Sequence, residues 1–216
     1  MRKLLAVHML CLAGTAYGEA PATQPTPAIA SAEWSLIFRF QDPRRVSVVL
    51  PGGARPVVYW YMLYTVENPT EREINFVPEI RIVTDRLQVI RCGEGVSPEA
   101  YRSIHRRAND PALVPPEKIA GRVQPGKDRA RHGVAIWKDF DPEIRSFTVY
   151  VSGLSGEMMR WKNPAFNPEK PQGRDNRAYF LLRKTLAIPY SLPGSEASRG
   201  EIVPRRIADE QKWVMR

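Results

Sequence analysis

Apolar residues in this chain recur mainly with a period of two, and the longest such stretch lies early. Val57 to Asn68 reads Val-Val-Tyr-Trp-Tyr-Met-Leu-Tyr-Thr-Val-Glu-Asn. One alternating set is Val58, Trp60, Met62, Tyr64 and Val66; the other is Val57, Tyr59, Tyr61, Leu63 and Thr65. Successive strand side chains point to opposite faces, so two largely apolar sets predict a central strand covered on both sides. Its rings need partners above and below, and Trp34, Phe38, Trp137 and Tyr150 are the candidates. Asn68-Pro69-Thr70 predicts the turn that ends it.

The flanking pattern is of the same kind. Trp34, Leu36, Phe38 and Phe40 alternate, then Val46, Val48 and Leu50, with Pro51-Gly52-Gly53 as a turn, which predicts antiparallel hairpins or a meander. Ile74 to Thr84 is interrupted by Pro78, which predicts an edge or a bulge. Asp85-Arg86 predicts a tight turn into Leu87 to Cys92. The period then changes. Ser97 as N-cap, Pro98 at the first helical position and Glu99 in the first turn predict a short helix over about 98–109. Tyr101, Ile104 and Ala108 face the core in that reading, and Asn109-Asp110-Pro111 stops it. Pro115 to Ile119 adds a short helical turn. Gly121 to Gly126 and Gly133 to Trp137 predict a hairpin-like pair around the charged loop Lys127 to His132, and Phe147 to Ser152 a further strand. Met158 to Asn176 reads as polar and Pro-broken, with Trp161 and Phe166 as isolated apolar anchors. Ala178 to Leu192 is a second long strand signal, and with Ile202-Val203 and Trp213-Val214 it is expected to return to the same sandwich.

Composition adds boundaries to this mainly β, antiparallel reading. The 216 residues are 43% hydrophobic and 25% charged, a balance that supports a real core and argues against global disorder. Residues 1–18 have the form of a signal peptide: Arg2 and Lys3, an apolar run from Leu4 to Ala16, and small residues before Glu19. Residues 19–32 are Pro-rich and low in large apolar side chains, which predicts a flexible linker. Residues 33–216 then form one β-sandwich domain with a C-terminal extension from about 157. No other segment is long and apolar enough to span a bilayer, so the mature chain is expected to carry no transmembrane segment and to work in the periplasm or outside the cell. Cleavage removes Arg2 and Lys3, taking the net charge from +9 down by two, so the basic balance survives. Cys92 is left as the one mature cysteine, which excludes an internal disulfide and leaves a buried apolar residue or an exposed thiol.

Two passages carry a resemblance. Tyr64-Thr65-Val66-Glu67-Asn68 is a strand ending at Asn before a turn. Gly121-Arg-Val-Gln-Pro125-Gly126 is followed by Gly133-Val-Ala-Ile-Trp137 and then Phe147-Thr-Val-Tyr. Over about Trp34 to Ser152 this resembles bacterial extracytoplasmic immunoglobulin-like domains of the telokin-like kind. The resemblance implies a secreted immunoglobulin-like β-sandwich, usually without enzymatic activity, and supplies no catalytic residues. The helix and the extension depart from a plain sandwich of that kind.

Candidate chemistry is sparse. Cys92, His105 and His132 have none of the spacings of a metal site, so no metal and no cofactor is expected. Asp139 and Asp141 could face one cation, but the passage lacks the Gly and distal Glu of a calcium loop. Gly153-Leu154-Ser155-Gly156 fails the serine-elbow pattern. No phosphate-binding or dinucleotide fingerprint occurs. Carboxylate pairs for glycoside hydrolysis are a spatial matter, so an extracytoplasmic hydrolase stays open as the enzymatic alternative. The basic surplus points elsewhere. Arg102, Arg106 and Arg107 on the helix and Arg129 and Arg131 in the loop are the candidate polyanion-binding residues, with Arg102 and Arg106 one helical turn apart. The function expected is a non-enzymatic binding or structural module of the cell envelope. Its partner would be an acidic polysaccharide, a lipid headgroup or a protein; nucleic acid is not expected.

Overall fold

A computed structural model of the chain describes residues 29–30, 34–194 and 203–216. The predicted signal peptide lies outside the described residues, as does most of the predicted linker. Within that linker Ile29–Ala30 forms a short strand, β1. β2 (Ile37–Phe40) and β3 (Arg44–Val49) follow, then β4 (Pro56–Glu67), the predicted central strand.

β4 is the spine of one sheet. One edge pairs with β3 along its first half, Arg45 opposite Trp60, and with β2 along its second half, Phe40 opposite Tyr64. The other edge pairs antiparallel with a strand far along the chain, residues 131–138, which sets Trp137 opposite Trp60. The turn after β4 is fixed by Asn68, which is fully buried. Its Nδ2 donates to the carbonyls of Arg72 (2.7 Å) and Val123 (2.9 Å), and its Oδ1 accepts from the Thr70 N–H (3.0 Å) and hydroxyl (2.7 Å). A buried amide costs free energy unless its groups are bonded, and here donors and acceptor are all engaged.

β5 (Ile74–Phe76) and β6 (Glu79–Thr84) lie on either side of Pro78, and β7 (Val89–Arg91) closes a hairpin with β6 through the predicted Asp85-Arg86 turn. Pro78 marks neither an edge nor a bulge. It stands where the chain changes sheets, because β6 lies between β7 and a later strand, residues 146–152. The helix α1 (Pro98–Ala108) has the predicted caps: the Ser97 hydroxyl accepts from the Glu99 N–H at 3.2 Å, and Asn109 takes a left-handed φ of 49°. After it come β8 (Leu113–Val114), a single 3-10 turn at Pro116–Lys118, β9 (Gly121–Val123) and β10 (Arg131–Lys138). β9 and β10 are not the predicted hairpin. β9 pairs with β5, while β10 pairs with β4 and, in parallel, with β8. Gly126, at φ 101°, and a 3-10 turn at Lys127–Arg129 separate them.

The second sheet is built on β11 (Ser146–Ser152) and β13 (Tyr179–Ser191), joined by β12 (Met158–Lys162). β11 and β12 run in succession along one edge of β13. β14 (Arg205–Arg206) and β15 (Lys212–Met215) lie along the other. Of the late strands, β13 therefore lies in the middle of this sheet, with β14 and β15 at its edge.

The molecule is mainly β, with antiparallel sheets in two layers and a helix over one of them. Trp60, Met62, Tyr64 and Val66 of β4 join Trp137, Phe147, Val149, Ile188 and Tyr190 in a core between the sheets. Tyr59 and Tyr61, on the other face of β4, meet Val134, Ile136, Ala100 and Ile104 beneath α1. Each fully buried aliphatic side chain such as Ile104 contributes about 1.5–3 kcal/mol. Of the expected ring partners Phe38 meets Tyr64, with centroids 5.1 Å apart. Tyr150 does not meet β4: it lies on the outer face of its sheet, covered by Arg216 at 4.0 Å. Phe140 stacks on Trp60 instead, at 5.3 Å.

Candidate functional site

The sequence pattern that makes β13 continues past the place where the core ends. Its even-numbered residues face the opposite sheet, and Leu186, Ile188 and Tyr190 are buried there. The same face runs on through Leu182 and Phe180, which stand opposite Met159 and Trp161 of β12. Directly paired residues of an antiparallel ladder share a face. Met159, Trp161, Phe180 and Leu182 thus form one apolar face on an arm of β12 and β13, edged by the short β1 paired to β12, that reaches beyond the core. Trp161 is 50% exposed and Phe180 43%. The expected role of Trp161 as an apolar anchor is corrected by this exposure: among the described residues no layer covers its strand there.

The opposite face of the arm is cationic. Met158, Arg160 and Lys162 alternate there with Tyr179, Leu181 and Arg183. The Arg160 guanidinium lies 4.4 Å from the Tyr179 ring centroid, an exposed cation–π contact worth about 0.5–1 kcal/mol. Among the described residues Arg160, Lys162, Arg177 and Arg183 have no carboxylate partner. At the base of the arm Lys184 Nζ donates to Glu157 Oε2 at 2.7 Å and lies 5.6 Å from the Trp213 ring. Between Glu157 and Lys184 the sequence carries seven Lys or Arg against three Asp or Glu, so close to half of the net +9 falls in this segment.

The tip that joins the two strands is held by asparagines. Asn176 Nδ2 donates to the carbonyls of Asn167 (2.9 Å), Lys170 (3.0 Å) and Pro171 (3.2 Å), and its Oδ1 accepts from the Asn167 N–H at 2.9 Å. Asn163 Nδ2 donates to Arg177 O at 2.8 Å, tying the two ends of the tip together. Side chains of this kind fix a loop by replacing backbone hydrogen bonds. The polar, Pro-broken reading of this segment was the correct local signal, but its strand and its exposed face were not legible from it.

The five arginines singled out by sequence fall into separate settings. Arg102 is ion-paired with Glu99 on α1, and Arg106 and Arg107 are exposed near the C-terminal end of the helix. Arg129 donates to Gln124 Oε1 at 3.1 Å. Arg131 lies on the face of β10 away from α1, as the alternation with Val134 and Ile136 requires, and it donates to Lys118 O at 2.9 Å. The helix set is together; Arg131 is turned to the other side of the sheet.

The remaining candidates are occupied structurally. Asp139 accepts from Trp60 Nε1 (2.7 Å) and Arg45 (2.7 Å), and Asp141 accepts from Arg86 (2.9 Å). Among the described residues no three His, Cys, Asp or Glu side chains gather in a way that would hold a metal ion. The Ser155 hydroxyl is buried and accepts from the Glu157 N–H at 3.1 Å. His132, on β10 rather than in a loop, has its Nδ1 2.6 Å from Asp110 Oδ2, and this hydrogen bond holds the Asp110 carboxyl below its usual range. Cys92 lines a pocket of about 390 Å³ with Tyr64, Ile80, Pro116 and Ile119. Burial pushes its thiol up to about 11, so at neutral pH it is the unreactive protonated form. No helix among the described residues is long and apolar enough to cross a membrane. Compared with protein-family models, with curated proteins and with solved structures, the chain matches none.

Proposed function

We propose that the chain is an exported, non-enzymatic binding module of the cell envelope, an immunoglobulin-like sandwich working in the periplasm or outside the cell. Its partner is polyanionic, and the arm of β12 and the first half of β13 is the part that engages it. The observation that carries this reading is the concentration of exposed cations without a carboxylate partner on the β12–β13 arm, which also presents exposed aromatic rings. Clustered cations attract a polyanion by steering and counterion release, and rings beside them add contact area at little entropic cost. The helix arginines Arg106 and Arg107 support a second contact, since they too are exposed, but Arg102 beside them is neutralised by Glu99.

The test is salt elution of the purified protein from immobilised dextran sulfate. Replacing Arg160, Lys162, Arg177 and Arg183 together with Gln is expected to lower the eluting salt concentration clearly, and replacing Arg102, Arg106 and Arg107 with Gln to lower it less. Unchanged elution of the arm variant would remove the arm from the proposal. Turnover of glycoside, ester or peptide substrates by the wild-type protein would count against the non-enzymatic reading.

A further inference from the structure

We infer that the anionic partner of the arm is a lipid bilayer surface, and that the face formed by Met159, Trp161, Phe180 and Leu182 inserts at the headgroup–acyl boundary. This rests on the arm being the polyanion-binding part, and adds which anion and which face. The argument is the division of the two faces. A strand pair gives opposite faces to alternate residues, and here one face is wholly apolar over two cross-strand pairs, Met159 with Leu182 and Trp161 with Phe180. The other face alternates Arg160, Lys162 and Arg183 with Met158, Tyr179 and Leu181.

A soluble polysaccharide does not account for the first face. Sugar recognition needs hydroxyl or amide partners beside a stacking ring, and the polar side chain nearest on this face, Lys184 at its base, is already ion-paired to Glu157. Met and Leu side chains offer nothing to a sugar hydroxyl but partition readily into acyl chains. An interfacial element buries its apolar face about 5–10 Å below the headgroups and keeps Lys and Arg on the face turned outward. Phosphates lie outside the hydrocarbon, at the level the cationic face of such an arm would occupy, so the charges complement each other. Tyr179, with Arg160 over its ring, has the apolar body and polar tip that suit that depth. The asparagine-braced tip and the ladder pairing hold the face in place before binding, which lowers the ordering cost.

The experiment is co-flotation of the purified protein with vesicles of phosphatidylcholine alone and of phosphatidylcholine mixed with phosphatidylglycerol. W161S/F180S is run beside wild type, and both are also run on dextran sulfate. The expected result is flotation with the anionic vesicles only, weakened about tenfold or more in W161S/F180S, while its dextran sulfate elution stays as wild type. Flotation of the double variant equal to wild type would overturn insertion of this face. Dextran sulfate retention through the arm cations, with no flotation on anionic vesicles, would overturn the lipid assignment and leave the polyanion reading standing. Loss of both would remove both. A wild-type dimer in light scattering that W161S/F180S converts to monomer, without flotation, would assign the face to a second copy and overturn the inference. Both substituted side chains are exposed, so far-UV circular dichroism and the melting temperature are expected to match wild type and certify the variants.

Discussion

β4 and the first half of β13 present the same kind of sequence in opposite settings. Both carry adjacent aromatic and aliphatic residues, Tyr59-Trp60-Tyr61-Met62 in one and Tyr179-Phe180-Leu181-Leu182 in the other. In β4 both faces are covered, one by the second sheet and one by α1, and Trp60 is 1% exposed. In the arm neither face is covered among the described residues, and Leu181 is 56% exposed. The difference is therefore one of neighbours rather than of composition. It assigns the rings of β4 to stability and leaves those of the arm available for a partner.

Stability measurements sharpen the contrast most strongly at tryptophan. Trp60→Ala is expected to cost about 3–5 kcal/mol in urea unfolding, because it empties a packed site and leaves Asp139 without its indole donor. Trp161→Ala should stay within about 0.5 kcal/mol of wild type. If the two substitutions cost the same, the arm is part of the core and the contrast collapses.

Next in size is Asn68→Ala, expected to lose about 2–3 kcal/mol by stranding the Arg72 and Val123 carbonyls and Thr70. Asn68→Asp can still accept from Thr70 but cannot donate, so it should not restore the wild-type melting temperature. Recovery by Asp would show that the two donated bonds contribute nothing.

Gly133 tests how closely β4 and β10 fit. A Cβ there would stand 2.5 Å from Tyr64 Cζ and 2.7 Å from its hydroxyl. Gly133→Ala is expected to destabilise by about 1–3 kcal/mol through this overlap. In the Tyr64→Leu background the same change should cost less, and additive losses in the double-mutant cycle would rule out the ring as the cause.

The smallest effect lies at the Asp110–His132 pair. A carboxyl held below its usual range contributes stability above its unfolded-state pKa of about 4, and that contribution is lost as pH falls through the lower folded value. Both side chains are about one-third exposed, so screening limits the effect to about a few tenths of a kcal/mol. Asp110→Asn should lose this small contribution near neutral pH, converge with wild type as pH falls below the folded value, and so flatten the acid side of the stability profile. A loss that appears only above neutral pH would contradict the sign.

Much of the fold was legible because its signals are local. Ser97, Pro98 and Asn109 bound α1 through side-chain and backbone preferences that act within one turn, and Asp85-Arg86 made its hairpin for the same reason. Errors arose where the outcome depended on distant partners. The passage from Gly121 to Trp137 read as a hairpin because its two halves are close in sequence. β5 and β4 claimed them instead, each offering a longer-range pairing that completes a covered sheet. The arginines chosen by sequence clustering were likewise divided, since one-residue alternation along β10 turns Arg131 away from α1.

The sequence by itself determined the mainly β class, the two-sided character of β4, the helix with its caps and the basic surplus. Each is set by periodicity, local bonding or a sum over residues. Only the tertiary structure decided which aromatic residues are covered. Burial is not a property of a strand but of the layers above and below it, and for β4 those come from β11, β13 and α1, tens of residues away. β13 shows this within one element: its apolar alternation from Phe180 to Tyr190 is interrupted only by Lys184, and its exposure changes where the opposing sheet stops.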